Sequence, residues 1–282
     1  MNVVNLKMSM LLAGFINVAG FIPASADLPS LNKQPWLGYF VIVNNNRLQF
    51  GIPSHGKATL KVIGKKGEPL SQKLAVTVDF VVEETLPDGK ISVKTLIPES
   101  LESSQPATDK PKKITCRGKV KGDATFEVSM DEDRGKILLG GRLIDRGTLT
   151  ANPTRFSIQL KFPDAYPNDK QALDKKEVKE FEEKISKDRV QLTWVGGKRI
   201  KLPNDKPVDT GSKEINGSGI DSAEIEFSSY QGKKIELDAS ENSMMTLSNS
   251  KIEPLHAGFT VTWAADPAKD AEGKARLTID VK

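Results

Sequence analysis

Short runs of alternating apolar and polar residues, separated by glycine-containing corners, recur along almost the whole chain. The segment 74–82 is apolar at every second position, and the alternation resumes over 91–97 after Asp88-Gly89. A period of two residues predicts a β-strand, and Asp-Gly between two such runs is a strong local signal for a hairpin with a primed turn. This feature restricts the chain to architectures in which consecutive strands are joined by tight turns.

The same Gly-Lys corner recurs at four further places in the sequence. By the same reasoning, reversals between strands are predicted at Gly135, Gly196-Gly197, Gly232 and Gly273. A phosphate-binding loop is disfavoured, because no G-x-x-x-x-G-K-[ST] spacing followed by a helix accompanies any of them. The lysine after each corner is expected at the solvent end of the returning strand, where a charge discourages sheet extension.

The predicted fold class is mainly β, with antiparallel sandwich or barrel-like domains and one amphipathic helix near 169–187. Helices do not alternate with the predicted strands, which disfavours a parallel sheet. Long loops are predicted at 98–113 and 202–219. The helix has Asp169 as its expected cap. Its narrow apolar stripe consists of Leu173, Val178, Phe181 and Ile185.

The helix suggests how the chain is divided into domains. One β domain is expected over 27–163, a helical connector over 164–189 and a second β domain over 190–282, because each part then has a usual domain size. The alternative is that the helix packs its stripe on one continuous sheet. Three or four apolar residues cannot hold an isolated helix, so tertiary contact must stabilise it in either case.

Residues 1–26 have the three parts of a secretory signal peptide. A start with one lysine and no acid precedes the apolar stretch 8–22, and Ala24-Ser25-Ala26 provides small residues for cleavage. The apolar stretch is shorter than the roughly twenty residues that cross a bilayer, although an uncleaved anchor remains the alternative. The chain is therefore expected to be exported, to a periplasmic or extracellular location of a bacterial envelope, and to have no membrane span after cleavage.

The charge balance disfavours nucleic-acid binding, and the cysteine content rules out an intramolecular disulfide. The formal net charge is +4, with 41 basic and 37 acidic residues mixed along the chain. This disfavours a nucleic-acid footprint, which needs basic residues gathered on one face. Cys116 is the single cysteine, so no intramolecular disulfide forms, and its place in an alternating run predicts a buried, inert thiol.

Motifs of catalysis and metal binding are absent from the sequence. The two histidines, His55 and His256, stand in turn contexts far apart, and no zinc motif surrounds either of them. Asp131 and Asp133 lack the other ligands of a calcium loop. Gly217-Ser218-Gly219 is shorter than a nucleophile elbow. The sequence therefore assigns no catalytic, cofactor-binding or metal-binding residue and predicts no cofactor.

One segment, Val208 to Ser212, resembles the D-T-G-S signature of aspartic peptidases. The resemblance covers five residues and implies that Asp209 would share a proton with a second aspartate and activate water. The nearest candidate for that second copy, Asp221-Ser222-Ala223, has alanine where the signature has glycine. The same residues are ordinary turn chemistry, and a turn is the preferred interpretation.

Non-catalytic binding or assembly is the function that these observations favour, with an unknown protein or glycan as partner and a homo-oligomer possible. Trp194 and Trp263 are in phase with apolar neighbours and predicted in the core, whereas Trp36 is either a core or a recognition residue. The alternatives are a hydrolase, through Asp209 or through a glycosidase pair of unidentified carboxylates, and an adhesin or scaffold subunit that associates through a strand edge. An open edge would favour assembly, and a cleft with converging carboxylates would favour hydrolysis.

Overall fold

The computed structural model describes residues 39–54, 57–103, 113–167, 174–250 and 252–282. The chain is mainly antiparallel β with a nearly closed, barrel-like sheet, which confirms the predicted fold class. Its strands are β1 (Tyr39–Asn44), β2 (Leu48–Pro53), β3 (Ala58–Val62), β4 (Val76–Thr85), β5 (Ile91–Thr95), β6 (Glu102–Ser103), β7 (Lys113–Lys119), β8 (Thr125–Asp133), β9 (Lys136–Asp145), β10 (Thr154–Phe162), β11 (Arg189–Trp194), β12 (Arg199–Leu202), β13 (Ile220–Glu226), β14 (Lys234–Ala239), β15 (Ser243–Ser248), β16 (Phe259–Ala265) and β17 (Leu277–Val281). The described residues also form the helices α1 (Lys175–Ile185) and α2 (Lys213–Asn216).

The strand pairings trace a circuit that almost closes on itself. From β4 the hydrogen-bonded neighbours run through β10, β16, β15, β13, β14, β17, β9 and β8 to β7. Two joins in this circuit are narrow. Strands β13 and β15 meet only at Ile220 and Met245, and a single bridge from Leu96 to Val120 connects the end of β5 to the end of β7.

Strands from both sides of the predicted connector belong to this one sheet. Strand β10 pairs with β4 along one edge and with β16 along the other, and β9 pairs with β17. The inner faces of these strands share one cluster of buried residues. The division of the chain into two β domains by the connector 164–189 stays a prediction. The hydrogen bonds between strands from either side of that connector resemble the alternative of one continuous sheet.

Helix α1 is shorter than predicted, and its cap differs from the expected one. Asp169 and Leu173 lie outside the described residues. The cap is Asp174, whose side chain accepts hydrogen bonds from the backbone N–H groups of Lys176 and Glu177. The side chain of Glu177 in turn accepts the backbone N–H of Asp174. This reciprocal capping box satisfies amides that the first turn leaves free. Helix α2 adds one further turn inside the predicted loop 202–219.

The glycine corners are hairpins at most of the predicted positions, but two details were wrong. At Asp88-Gly89 only the glycine has positive φ, at 81°, so the turn between β4 and β5 is not the primed type. The Leu86 N–H donates to the Lys90 carbonyl at 2.8 Å and closes the loop. At Gly273 the predicted reversal does not form a hairpin, because β16 and β17 pair with other strands and not with each other.

The core lies inside the curved sheet and is dense in aromatic side chains. Phe162 and Phe259 stack with ring centroids 4.6 Å apart, and Phe126 packs 5.1 Å from Phe156. The predictions for Trp194, Trp263 and Cys116 are confirmed, since all three are buried. Burial raises the pKa of the Cys116 thiol to about 12, which keeps it protonated and unreactive at neutral pH.

The turn between β1 and β2 docks against the turn between β8 and β9. Arg47 extends from this turn, donates to the carbonyl of Arg134 and forms an ion pair of 3.0 Å with the buried Asp280 on β17. Asn45 donates to the Gly135 carbonyl at 3.2 Å. These contacts fix the β1–β3 segment on the rest of the sheet. No helix among the described residues is long and apolar enough to cross a membrane.

Candidate functional site

Strand β5 forms the outer arm of a hairpin at the rim of the sheet. Among the strands of the described ranges it pairs only with the second half of β4, in a register that places Val93 opposite Glu83 and Ile91 opposite Thr85. The first half of the same β4 edge is occupied by β3. Beyond Thr95 the chain reaches β7, where the Ile97 N–H donates to the Lys119 carbonyl at 2.9 Å.

The direction of that bond shows which backbone groups of β5 point outward. Backbone N–H and C=O groups alternate between the two edges of a strand. Since the Ile97 N–H points away from β4, the N–H and C=O groups of Ile91, Val93 and Thr95 point to the same outer edge. The bridge from Leu96 to Val120 occupies this edge at its Thr95 end, while no strand pairing of the described residues uses the outward groups of Ile91 and Val93. With respect to the described residues, the outer edge of β5 is therefore open at Ile91 and Val93.

The side chains on the outer face of β5 are apolar and exposed. Ile91 is 48% exposed, Val93 is 42% exposed, and Ile97, just beyond the strand, is 40% exposed. Apolar residues of an edge strand normally face the core, and natural edges are usually shielded by charges or proline. Strand β5 therefore combines unpaired backbone groups with apolar side chains on its solvent face.

An ion pair explains why this strand presents its apolar face to water. Lys94 and Ser92 occupy the opposite face, where the Lys94 ammonium lies 3.0 Å from the carboxylate of Glu84 and donates to the Ser92 hydroxyl. Asn152 donates to the same carboxylate at 2.8 Å. The hydrogen bonds from Asn152 and Lys94 hold the pKa of Glu84 below its usual value. If β5 were rotated so that Ile91 and Val93 faced the core, Lys94 would point to solvent. The nearly buried carboxylate of Glu84 would then lose its cation.

Strand β12 is a second rim strand, and it differs from β5 in its charge. Within the part of the chain that the structure describes, it pairs only with β11. Its exposed side chains are the cations Arg199 and Lys201, while Leu202 is buried. Cations on an edge oppose pairing with another strand. The comparison identifies β5 as the less protected of these two edges.

A cavity of about 270 Å³ opens beside the base of β5, where β3 and β5 diverge along the edge of β4. Its walls are mainly apolar and include Phe80, Leu96 and Leu101. Asp79 stands at its polar side with two cations, Lys57 at 3.2 Å and Lys161 at 2.7 Å. The carboxylate is engaged by these two cations, and the mainly apolar walls suit the cavity to an apolar side chain.

A buried group of titratable side chains lies under α1. The Tyr166 hydroxyl donates to the Asp188 carboxylate at 2.6 Å, and the Ser228 N–H donates to its other oxygen at 2.7 Å. Phe181 on α1 and His256 both pack edge-on against the Tyr166 ring. Burial raises the pKa of Asp188, while the hydrogen bonds and His256 oppose that rise.

This cluster is suited to structure more than to chemistry. Asp188 and Tyr166 are buried, and both oxygens of the carboxylate are already engaged. His256 directs its Nδ1 to the Asn204 carbonyl and packs against the rings of Tyr166 and Phe181, so it is half-buried within its turn. The three central residues of the cluster, Tyr166, Asp188 and His256, come from separate segments of the chain. No motif in the sequence connects them.

Asp209 lies in an exposed turn, away from the clusters just described. Its carboxylate accepts the Gly211 N–H at 3.0 Å, and its carbonyl accepts the Ser212 N–H at 3.2 Å. The neighbouring Thr210 hydroxyl donates to Asn249 at 2.7 Å. These are the bonds of a structural turn, as the preferred interpretation expected.

Asp209→Asn is expected to leave the free energy of unfolding within about 1 kcal/mol of wild type, because asparagine keeps the oxygen that accepts the Gly211 N–H. Peptide cleavage should be equal in both proteins. The check is urea unfolding together with incubation against a mixed peptide library at acidic and neutral pH. Cleavage by wild type that disappears in the variant would establish a peptidase.

The remaining residues considered from the sequence carry no site in the described structure. His55 and Trp36 lie outside the described residues. Asp131 is paired in β8, and the exposed Asp133 approaches Arg134 at 3.9 Å. Across the described ranges, no group of three or more His, Cys, Asp or Glu side chains is arranged to hold a metal ion. A scan against protein-family models and a search of curated proteins both gave no match for this chain.

Proposed function

We propose that this chain is an exported, non-catalytic protein of the cell envelope that assembles with another protein chain through the outer edge of β5. The single observation that carries the proposal is the open edge itself, with outward backbone groups and the exposed side chains of Ile91 and Val93. An extended segment laid along such an edge gains main-chain hydrogen bonds and apolar contact together. This function corresponds to the alternative of an adhesin or scaffold subunit that associates through a strand edge.

The ion pairs and hydrogen bonds of the buried carboxylates favour assembly over hydrolysis. Glu83 pairs with Arg155 at 2.8 Å, Asp280 pairs with Arg47, and Asp270 accepts the backbone N–H groups of Lys274 and Ala275. Peptidase and glycosidase sites need two carboxylates that converge on one substrate. Each of these buried acids is instead bound by donors of its own.

A protein partner is favoured over a glycan partner by the kind of surface available. Glycan platforms rely on exposed aromatic rings, and Trp194 and Trp263 are buried. The β5 edge offers amides, carbonyls and branched aliphatic side chains, which are the groups that another β-strand matches.

Export is supported by the signal-peptide pattern of residues 1–26. If it is correct, mass spectrometry of the protein from its native host will identify Asp27 as the first residue. Recovery of a chain that keeps Met1 in the membrane fraction would contradict the export half of the proposal.

The assembly half is tested by a photo-crosslinking amino acid at Ile91, on the open part of the edge, in the exporting host. The expected result is one discrete crosslinked product that disappears when Val93→Pro is added. Proline at 93 removes only an outward N–H, so the hairpin remains paired with β4. The matched control places the same photo-crosslinker at Val195, which is 52% exposed at another hairpin and should give no such product. No product from Ile91, or one unaffected by Val93→Pro, would contradict the proposal.

A further inference from the structure

We propose that the tip of the β11–β12 hairpin and the neighbouring α2 bind the surface of a bilayer that contains anionic lipids. The lipid-binding face consists of Val195, Lys198, Arg199, Lys213 and Met244. It shares no residue with the edge of β5, so it is a surface separate from the one proposed for assembly. Cations and exposed apolar side chains stand side by side on this face, which is the pattern of peripheral binding to anionic lipids.

A cavity with a net positive charge lies between the hairpin and α2, with a volume of about 420 Å³. Its walls include the cations Lys198, Arg199 and Lys213, and the acid among its lining residues is Glu214. Within the described ranges, none of the three cations forms an ion pair with a carboxylate. The cavity is therefore suited to an anionic headgroup, whose phosphate would supply the missing partner.

The Trp194 ring fixes the position of one of these cations. Its indole N–H donates to the Ile215 carbonyl at 2.8 Å, which orients the ring in the cavity wall. The Lys198 ammonium lies 5.3 Å from the ring centroid, within the range of a cation–π contact. Because this contact leaves the positive charge in place, Lys198 is held in the cavity wall and still able to bind a phosphate.

Two exposed apolar side chains lie beside the cavity. Val195 is 52% exposed and Met244 is 42% exposed. Gly219 connects them, because its carbonyl accepts the Val195 N–H at 3.2 Å and a Cβ atom on it would lie 2.9 Å from the Met244 sulfur. Protection of the β12 edge would explain Arg199, but it explains neither these apolar side chains nor Lys213 on a different segment.

The turn that follows Val195 stands clear of the rest of the described chain. A Cβ atom at Gly196 or Gly197 would meet nothing within 4 Å beyond its chain neighbours. Such a tip can enter a headgroup layer without a steric conflict, so that Val195 reaches the acyl boundary while the nearby cations stay at the phosphates. A protein partner would instead need a concave surface that matches the tip. The shape of the turn therefore favours a lipid surface.

Sedimentation of the purified protein with vesicles tests the lipid-binding face. We expect binding to vesicles of phosphatidylglycerol, which is anionic, and not to vesicles of phosphatidylcholine, which is zwitterionic. Lys198→Gln combined with Lys213→Gln should weaken the binding roughly 25-fold, since each cation near such a surface contributes about fivefold. The matched control is Lys65→Gln combined with Lys66→Gln, an exposed pair outside the face, which should leave the binding nearly unchanged. Urea unfolding checks that both variants are folded.

A second variant separates a lipid surface from a free anion as the bound species. Val195→Ser keeps every cation, so it should weaken binding to phosphatidylglycerol vesicles and leave any binding of inorganic phosphate unchanged. Full vesicle binding by Val195→Ser, with release of the protein by inorganic phosphate at constant ionic strength, would show a site for a free anion and overturn the inference. Equal losses in the two lysine pairs would show attraction by overall charge alone. That result would overturn it as well, as would equal binding to both kinds of vesicle or no binding to either.

Discussion

Gly141→Ala is expected to lower the free energy of unfolding by about 3 kcal/mol. A Cβ atom at Gly141 would lie 2.3 Å from the Phe156 ring and 2.6 Å from the carbonyl oxygen of Glu127. The ring could rotate only by disturbing its packing with Phe126, and the carbonyl belongs to the β8–β9 ladder. The strain therefore falls on the pairing between β8 and β9. Urea unfolding of wild type and of Gly141→Ala measures the loss.

Gly89→Ala is the matched control for this substitution. Gly89 has positive φ, but a Cβ atom there meets nothing within 4 Å. The cost should be about 1 kcal/mol, from backbone strain alone. Phe156→Leu should recover part of the loss caused by Gly141→Ala, because it removes the atoms that clash. Equal losses at the two glycines, or a double variant whose losses simply add, would contradict the packing described.

Asp188→Ala is expected to lower the free energy of unfolding by about 3 kcal/mol, because the buried Tyr166 hydroxyl loses its acceptor. The Ser228 N–H loses its acceptor in the same variant. Asp188→Asn keeps one acceptor oxygen and should lower the free energy of unfolding by clearly less than Asp188→Ala. Urea unfolding near neutral pH measures the difference. Similar losses in the two variants would show that packing, not hydrogen bonding, dominates at this position.

The same residue gives a pH dependence with a definite sign. Burial raises the pKa of Asp188 in the folded state above its usual value of 3.8. The folded state therefore holds this proton more tightly than the unfolded state. The stability from this group is fully present below about pH 3.8 and is lost as the pH rises through the raised folded pKa. Wild type should exceed Asp188→Asn in stability by more at about pH 4 than at about pH 8. A difference that grows with pH would contradict this assignment.

The strands and most hairpins were predictable because their signals are local. Alternation over 74–82 and glycine at the corners determine which residues form strands and where the chain turns. The start of α1 was also encoded locally, since Asp174 is followed three positions later by Glu177, as in a capping box. Asp169 resembles a cap when read alone, but Ala172 stands three positions after it, where a capping box has Glu or Gln.

The candidate site could not be predicted in the same way. Alternation places Ile91 and Val93 on one face of β5 but does not say which face meets the core. That choice depends on Glu84 across the hairpin and on Asn152, which is 68 positions away from Glu84 in the chain. The cluster around Asp188 is equally non-local. Interactions of this kind become visible only once the strands are assembled.

Hydrogen exchange at the amides of Ile91 and Val93 tests the open edge of β5 most directly. Ser92 and Lys94 are internal references, since their amides point to β4. We predict that the two outward amides exchange rapidly in the purified, dilute chain, while Ser92 and Lys94 stay protected. Outward amides that are already protected in the dilute chain would contradict the open edge on which the proposed assembly rests.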